Sequence, residues 1–272
     1  MLLETLIKEK YNTLTKTEKK IADKLLINHI HADEYSLIDL SKMLNIGEAT
    51  IIRFSRKLGF KGYQEFKLAL SKEALENEDT NFDNFVDKVG LSTKKIISDS
   101  VNNVDKDVIV KAVKILNESA RVVLFGVGVS GYSAKIAEQR FMRNGLHSHA
   151  ITDGHFQAME ASLLSNKDTV IAISNTGYSK DTIESIRIAK NVGATIIALT
   201  SDINSTLAKE ADLLIQTFGK KEFLNGGSFG TCIAQLFILD MMCTAYSLID
   251  KEYSVACMAK ALMSISNKGN LE

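Results

Sequence analysis

Two short runs of this chain carry side chains suited to holding an anion. One is Gly126-Val127-Gly128-Val129-Ser130-Gly131, and the other is Ser174-Asn175-Thr176-Gly177-Tyr178-Ser179. Each follows a run of apolar, β-branched residues and leads into a helical pattern. Each therefore falls at a helix N-terminus, where free N–H groups and the helix dipole favour negative charge. The second run offers the hydroxyls of Ser174, Thr176 and Ser179, and its small side chains let backbone amides close around a phosphate. A glycine-rich turn alone is also what a tight strand-to-helix connection looks like. The first run further spells G-x-G-x-x-G, with Asp153 about twenty residues on, as a dinucleotide site requires. A hydroxyl-rich loop on the third strand is unusual for a nicotinamide site and fits a sugar phosphate more simply.

A different chemistry is written between Glu48 and Lys61. A helix through Ile51, Ile52, Ser55 and Leu58 would turn Glu48, Ala49, Thr50 and Arg53 to its opposite face. Those are N-terminal positions of a recognition helix, from which side chains reach base edges in a major groove. From Ile51 to Lys72 six basic residues, including Arg53, Arg56, Lys57 and Lys61, stand against Glu65 alone, a net +5. Such a stripe would position DNA phosphates. The plainer alternative is a helical bundle with solvated lysines.

Proton abstraction beside a carbonyl would need a general base. His155, Glu160, Glu138 and Glu222 are the candidates. His155 follows the second strand and could overhang the pocket as a ligand contact, or serve only in packing. No spacing of metal ligands or of nucleophile and base stands out. A pocket behind a DNA-binding domain reads as a sensor, so neither turnover nor a cofactor is expected.

The elements that must hold these residues are legible. Thr15-Lys16-Thr17-Glu18 is a capping box, followed by Ile21, Ala22, Leu25 and Leu26 at helical spacing. Ser36 and Asp39 open a second helix that stops at Asn45-Ile46-Gly47, and the recognition helix ends at Gly59 with Phe60 packing back. Two short helices joined by such a turn make a helix-turn-helix. Residues 77–87 read as an acidic, asparagine-rich linker, followed by helices near Val89–Val104 and Lys106–Asn117, the latter capped by Asp105. From Arg121, RVVLFG, HAI, TVIAI, TIIAL and LLIQ alternate with helical segments, the pattern of βαβ units. The expected fold is an all-α helix-turn-helix domain followed by an α/β, doubly wound, parallel five-stranded domain. The boundaries are 1–77 for the first domain, 78–104 for a linker and connecting helix, and 105–272 for the second.

Composition sets the frame. The 272 residues are 45% apolar and 24% charged, with a formal net charge of zero. Attraction to DNA must therefore come from a local patch. Cys232, Cys243 and Cys257 are widely spaced, which suits a reducing cytoplasm better than a disulfide framework. MLLETLIKEK mixes charge into its apolar run and does not read as a signal peptide. No run of about 18 uncharged apolar residues is apparent, so no membrane span is expected. The apolar stretches from Gly227 to Ile249 and from Val255 to Ile265 suggest an oligomer interface, in a homodimer or homotetramer. Met241, Met242 and Met258 on them read as core or interface.

Two resemblances sharpen this reading. LTKTEKKIADKLL and SLIDLSKMLNIGEATIIRFSRKLGFKGYQEFKLAL resemble the N-terminal domain of RpiR-type bacterial regulators, most specifically in EATIIRFSRKLGFKGYQEFK. The resemblance implies Glu48, Ala49, Thr50 and Arg53 at the major groove of a double-stranded operator, with Arg56, Lys57 and Lys61 near phosphates. VVLFGVGVSG, VIAISNTGYSKDTIESIRIAKNVGATIIALTS and NSTLAKEADLLI resemble a sugar-isomerase (SIS) domain. It implies a sugar-phosphate effector held by Ser174, Thr176 and Ser179, with Asn175 and Gly177 in the loop and Gly128 and Ser130 completing the pocket. The chain departs from the family pattern at Gly47, where serine is usual, at Asn175, where histidine or tyrosine is frequent, and at Asn225 and Cys232, where arginines are usual. A sugar-sensing transcription regulator follows, with a phosphosugar isomerase as the alternative and a dinucleotide enzyme behind it.

Overall fold

The computed structural model describes residues 2–26, 35, 37–77, 85–218 and 228–266. They fall into two compact units, one within Met1–Leu91 and one within Ser92–Lys220 and Ser228–Glu272.

The first unit is helical: α1 (Leu2–Lys10), a 3-10 turn at Tyr11–Thr13, α2 (Lys16–Leu26), α3 (Leu37–Leu44), α4 (Glu48–Lys57) and α5 (Tyr63–Asn77). The predicted capping box opens α2: the Thr15 amide donates to Glu18 at 2.8 Å and the Glu18 amide donates to Thr15 Oγ1 at 3.4 Å. Asn45 takes the left-handed conformation, φ 53°, that turns the chain from α3 to α4. At the far end of α4, Gly59 at φ +100° donates to Arg56 O, and Phe60 N donates to Ser55 O at 3.1 Å. That is the Schellman stop the sequence announces. Leu40, Ile51, Phe54, Leu58 and Phe66 form the fully buried centre, with the Phe54 and Phe66 rings edge-to-face at 5.8 Å. Ser36, expected to open α3, lies outside the described residues.

The chain passes between the units within α6 (Phe85–Asn103). The helix starts four residues before the expected Val89 and takes in Phe85–Asp87 of the expected linker; residues 78–84 lie outside the described residues. α7 (Lys106–Glu118) is capped as expected, Asp105 accepting from the amides of Asp107 and Val108.

The second unit is an all-parallel sheet of five strands: β1 (Arg121–Phe125), β2 (Ser148–Ile151), β3 (Asp168–Ile173), β4 (Thr195–Thr200) and β5 (Leu213–Gln216). Their order is β2-β1-β3-β4-β5. Between them run α8 (Val129–Arg143), α9 (Gly154–Ser162), α10 (Lys180–Asn191) and α11 (Thr206–Glu210), followed by α12 (Ser228–Ser247) and α13 (Lys251–Ser266). Alternate strand residues feed two cores, as in a sheet covered on both faces. Leu124, Ile171, Ile173, Ile197 and Leu199 pack with α7, α8 and α12 residues, while Val123, Phe125, Val170, Ala172 and Ile196 pack with α9 and α10 residues. The strand order reverses between β1 and β3, so the loops leaving these adjacent strands open at the switch point where such sheets bind ligands.

By length and composition the segment Phe229–Ser247 of α12 is apolar enough to cross a membrane. Asp240 interrupts it, so it holds no uncharged run of the length of a span. Half of the segment is buried within the domain, and Asp240 pairs with Arg140 of α8.

Candidate functional site

The recognition-helix surface stands on the N-terminal half of α4. Ile51, Phe54 and Ser55 face the core, with the Ser55 hydroxyl donating to Ile51 O at 2.9 Å, while Glu48, Ala49 and Arg53 are exposed and Thr50 is half-buried. Arg53 Nη2 donates to Thr50 Oγ1 at 3.1 Å, which orients the exposed guanidinium. Gly47, the N-cap, supplies no side-chain bond.

The basic residues divide by what already holds them. Arg56 is exposed and its Nε donates to Lys61 O at 3.2 Å, bracing the turn that carries Lys61. Lys57 is committed inside the domain: its Nζ donates to Glu18 Oε2 at 2.7 Å and to Thr13 O at 3.1 Å. The Glu18 side chain is only 3% exposed, so Lys57 answers a buried charge. Burial works against ionising Glu18, but hydrogen bonds from Lys57 and Thr15 outweigh it and hold the carboxyl below its usual value. Lys67 of the same basic run donates to Tyr35 O.

At the sheet switch point, the loop from Ser174 to Ser179 is fixed by its neighbours. The carbonyl of Asn175 accepts three hydrogen bonds, from Thr200 Oγ1 at 2.9 Å, Ser201 N at 2.9 Å and Ser201 Oγ at 2.8 Å. Gly177 takes φ +70°, and a Cβ there would lie 2.8 Å from Thr200 Oγ1 and closer still to Ser205, so only glycine fits. Its amide donates to Ser174 Oγ at 3.1 Å, and its carbonyl accepts from Leu207 N at 2.9 Å. Tyr178 is buried, and its phenol donates to Asp202 Oδ2 at 3.1 Å. Ser179 is the N-cap of α10 but makes no side-chain cap bond; its Oγ lies 2.9 Å from Ser174 Oγ. The two hydroxyls thus face each other across the mouth of the loop at the start of a helix. Asn175 Oδ1 is buried without a hydrogen-bond partner.

The loop on β1 is tighter. A Cβ on Gly126 would meet Ser130 O at 2.7 Å, so α8 turns back directly over the strand end, while Gly128 holds φ +57° with open space around it. Ser130 is 8% exposed. Its Oγ accepts from Gln235 Nε2 at 3.0 Å, and Gln235 Oε1 accepts from Ser133 Oγ at 2.8 Å. A fully buried glutamine on α12 thereby pins the N-terminus of α8. Gln235 was not among the expected site residues, although a lone amide inside a long apolar helix is a signal for it. Thr200, Ser201 and Ser205, which shape the second loop from β4 and beyond, were missed as well.

Gly128, Ser130 and the residues from Ser174 to Ser179 therefore follow the adjacent strands β1 and β3. His155 is exposed in the first turn of α9 after the edge strand β2, next to Gly154, which packs against Asp181 in the first turn of α10. Asp153 caps α9, its Oδ1 accepting from the amides of His155 and Phe156 at 2.9 and 3.1 Å. The other candidate bases stand elsewhere. Glu160 faces Arg121 at 3.8 Å, at the amino end of β1, away from the switch-point loops. Glu138 accepts from Ala150 N at 3.0 Å and lies 3.0 Å from His149 Nδ1, blunting the open edge of β2. Burial opposes its charge, but the Ala150 amide and Lys135 prevail and its carboxyl titrates low, whereas a general base works best near neutrality. Glu222 and Asn225 lie outside the described residues. Cys232 stands on α12 with its sulfur 3.6 Å from Ser133 Oγ.

The comparisons agree with both halves. The helix-turn-helix domain of the rpiR family matches residues 1–77, and the SIS domain matches residues 115–245. An HTH-type transcriptional regulator of Haemophilus influenzae is 38% identical, over 92% of this chain and 91% of its own length. The HTH-type transcriptional regulator HexR of Escherichia coli is 28% identical over 89% of this chain and 86% of its own. Among solved structures, the Vibrio vulnificus NanR protein complexed with ManNAc-6P has the same fold, with a TM-score of 0.78 at 23% identity, covering 97% of this chain and 98% of that one. With a helix-turn-helix unit ahead of a five-stranded SIS sheet, and a close relative matching nearly end to end, this chain belongs to the rpiR family of DNA-binding transcriptional regulators.

Proposed function

We infer that the SIS domain of this regulator binds a phosphorylated sugar or amino sugar, and that the bound ligand modulates operator binding without being converted. The observation that carries this is the loop from Ser174 to Ser179 at the β1/β3 switch, where the Ser174 and Ser179 hydroxyls meet 2.9 Å apart at the N-terminus of α10. A phosphate seated there would accept from those hydroxyls, from Thr176 and from the first free amides of α10. Gly128 and Ser130 would flank it from β1, and His155 would approach from the β2 side. The ManNAc-6P complex of NanR, a protein of the same fold, supports the ligand class.

Sensing is favoured over turnover because Glu138 and Glu160 are tied to Ala150 and Arg121. On the DNA side, Glu48, Ala49, Thr50 and Arg53 would read bases, with Arg56 and Lys61 on phosphates. Lys57 would act there only by leaving Glu18. The protein works on DNA in the cytoplasm, as a homodimer or homotetramer whose recognition helices reach half-sites about 34 Å apart or a multiple of that. Leu262, Met263 and Ile265 of α13, each more than 60% exposed, support α13 as part of the oligomer contact.

Thermal-shift titration with ManNAc-6P and a panel of hexose, hexosamine and pentose phosphates tests the reading. Stabilisation by one of them, abolished by Ser174→Ala combined with Thr176→Ala while DNA binding persists, is the expected result. A double variant that responds like the wild type would move the effector elsewhere. Turnover of the bound sugar, followed by NMR, would make the domain an enzyme.

A further inference from the structure

Below the phosphate loop, a line of hydrogen bonds leads away from it toward the helix that carries the chain into the DNA-binding unit. The Asn175 carbonyl is held by the amide and hydroxyl of Ser201, at 2.9 and 2.8 Å. The carbonyl of Ser201 in turn accepts from Gln216 Nε2 at 3.2 Å, at the end of β5. Gln216 also lines a cavity of about 230 Å³ between the end of β5 and the elbow joining α6 to α7. On the sheet side the walls are Ile203, Gln216 and Phe218; on the elbow side they are Asn103, Val104 and Val108. The elbow is thus backed by a partly open cavity where it meets the end of β5. The residues lining it face solvent-accessible space rather than close-packed neighbours, so small displacements of the elbow meet little steric resistance there. Elsewhere α7 is held firmly, Ile109, Ala112, Val113 and Leu116 being buried in the sheet core.

We propose that Gln216 is the positioning residue that couples the effector site to DNA binding: it links the Asn175–Ser201 bridge to the α6–α7 elbow, and the cavity beside it is the slack through which the elbow shifts. This rests on the effector reading above. A ligand that draws the loop from Ser174 to Ser179 inward moves the Asn175 carbonyl, and Ser201 moves with it because two of its donors grip that carbonyl. The Gln216 amide follows the Ser201 carbonyl, and the cavity wall it forms moves against Asn103 and Val104. α6 continues without a break from there to Phe85 in the other unit. Gln216 touches neither the phosphate loop nor the recognition helix in this scheme, so its removal uncouples two binding events and leaves each intact.

The test is a linkage measurement on the full chain, using a duplex selected by the wild type from random sequence and the sugar phosphate that stabilises it best. Gln216→Leu and Gln216→Glu both remove the donating amide, and Val108→Met fills the cavity independently. Expected is an effector Kd on free protein and a DNA Kd without effector each within about twofold of wild type, with the effector-induced change in DNA Kd cut at least threefold. By reciprocity, DNA must then also cease to alter the effector Kd by the same factor. A general loss of stability would weaken both binding events and would not selectively erase their coupling. A full response in both Gln216 variants overturns the proposal, as does a parallel loss of effector affinity, which would make Gln216 part of the binding site. A wild type whose DNA binding answers no sugar phosphate removes the effector reading itself, an outcome visible before any variant is made.

Discussion

Gly177 concentrates the demands placed on a single residue. Its amide, its carbonyl and its missing side chain are all in use: the amide on Ser174, the carbonyl on Leu207 N, and the space against Thr200 and Ser205. Gly177→Ala must leave the left-handed region and also push back Ser205, which is fully buried and caps α11 through Ala208 N. Together these should destabilise the second domain by roughly 2–4 kcal/mol. Urea unfolding followed by circular dichroism measures the loss, and a stability within 0.5 kcal/mol (about the noise of a surface substitution) would show that the loop is not held as described. Cys243 is a contrasting residue. Burial pushes its thiol up to about 12, which makes it inert at neutral pH.

The clamp between α2 and α4 is a property of elements. Lys57 closes the last turn of α4 onto the capping box of α2, so one lysine ties the recognition helix to the helix behind it. Lys57→Met should destabilise the first domain by about 1–2 kcal/mol, an amount reduced because the lysine end is partly open to water. The pH dependence has a definite sign. Glu18 titrates below its usual 4.5 in the folded domain, so its contribution is complete above that pH and fades as pH falls through the lower folded value. The stability gap between wild type and Lys57→Met should therefore be constant near neutrality and narrow in acid. Melting curves from pH 7 down to about pH 3 give the answer, and a gap that widens in acid would refute the clamp.

At the scale of the molecule, a chain of zero net charge must bind DNA through one local surface. Arg53→Ala should cost about 1–3 kcal/mol of specific binding, and Lys61→Ala should weaken specific and non-specific binding alike while lowering the salt slope by about 1. Gel shifts at several salt concentrations separate the two. Equal loss of specific and non-specific binding in Arg53→Ala would reassign that arginine from bases to phosphates. Neither substitution should alter effector binding at the proposed site, since the loop from Ser174 to Ser179 lies in the other compact unit.

Much of this protein was legible from sequence because the signals are local. A capping box, the Asn45 turn, the Gly59 stop and the alternation of β-branched runs with helices depend on residues within one turn or strand of each other. Local rules therefore locate the strands, the two loops and the recognition helix within a residue or two. Local rules do not reach the contacts that assign jobs to side chains. Lys57 and Glu18 are 39 residues apart, and Ser130 and Gln235 are 105 apart. Only the folded chain ties Lys57 to Glu18, sends Glu160 to the amino end of β1, makes Asp153 a cap and stations Gln216 beside the elbow. The sequence by itself determined which elements exist and where anion and DNA chemistry could reside. The tertiary structure decided which of those groups are free to do it, because a side chain's availability depends on long-range partners that no local pattern encodes.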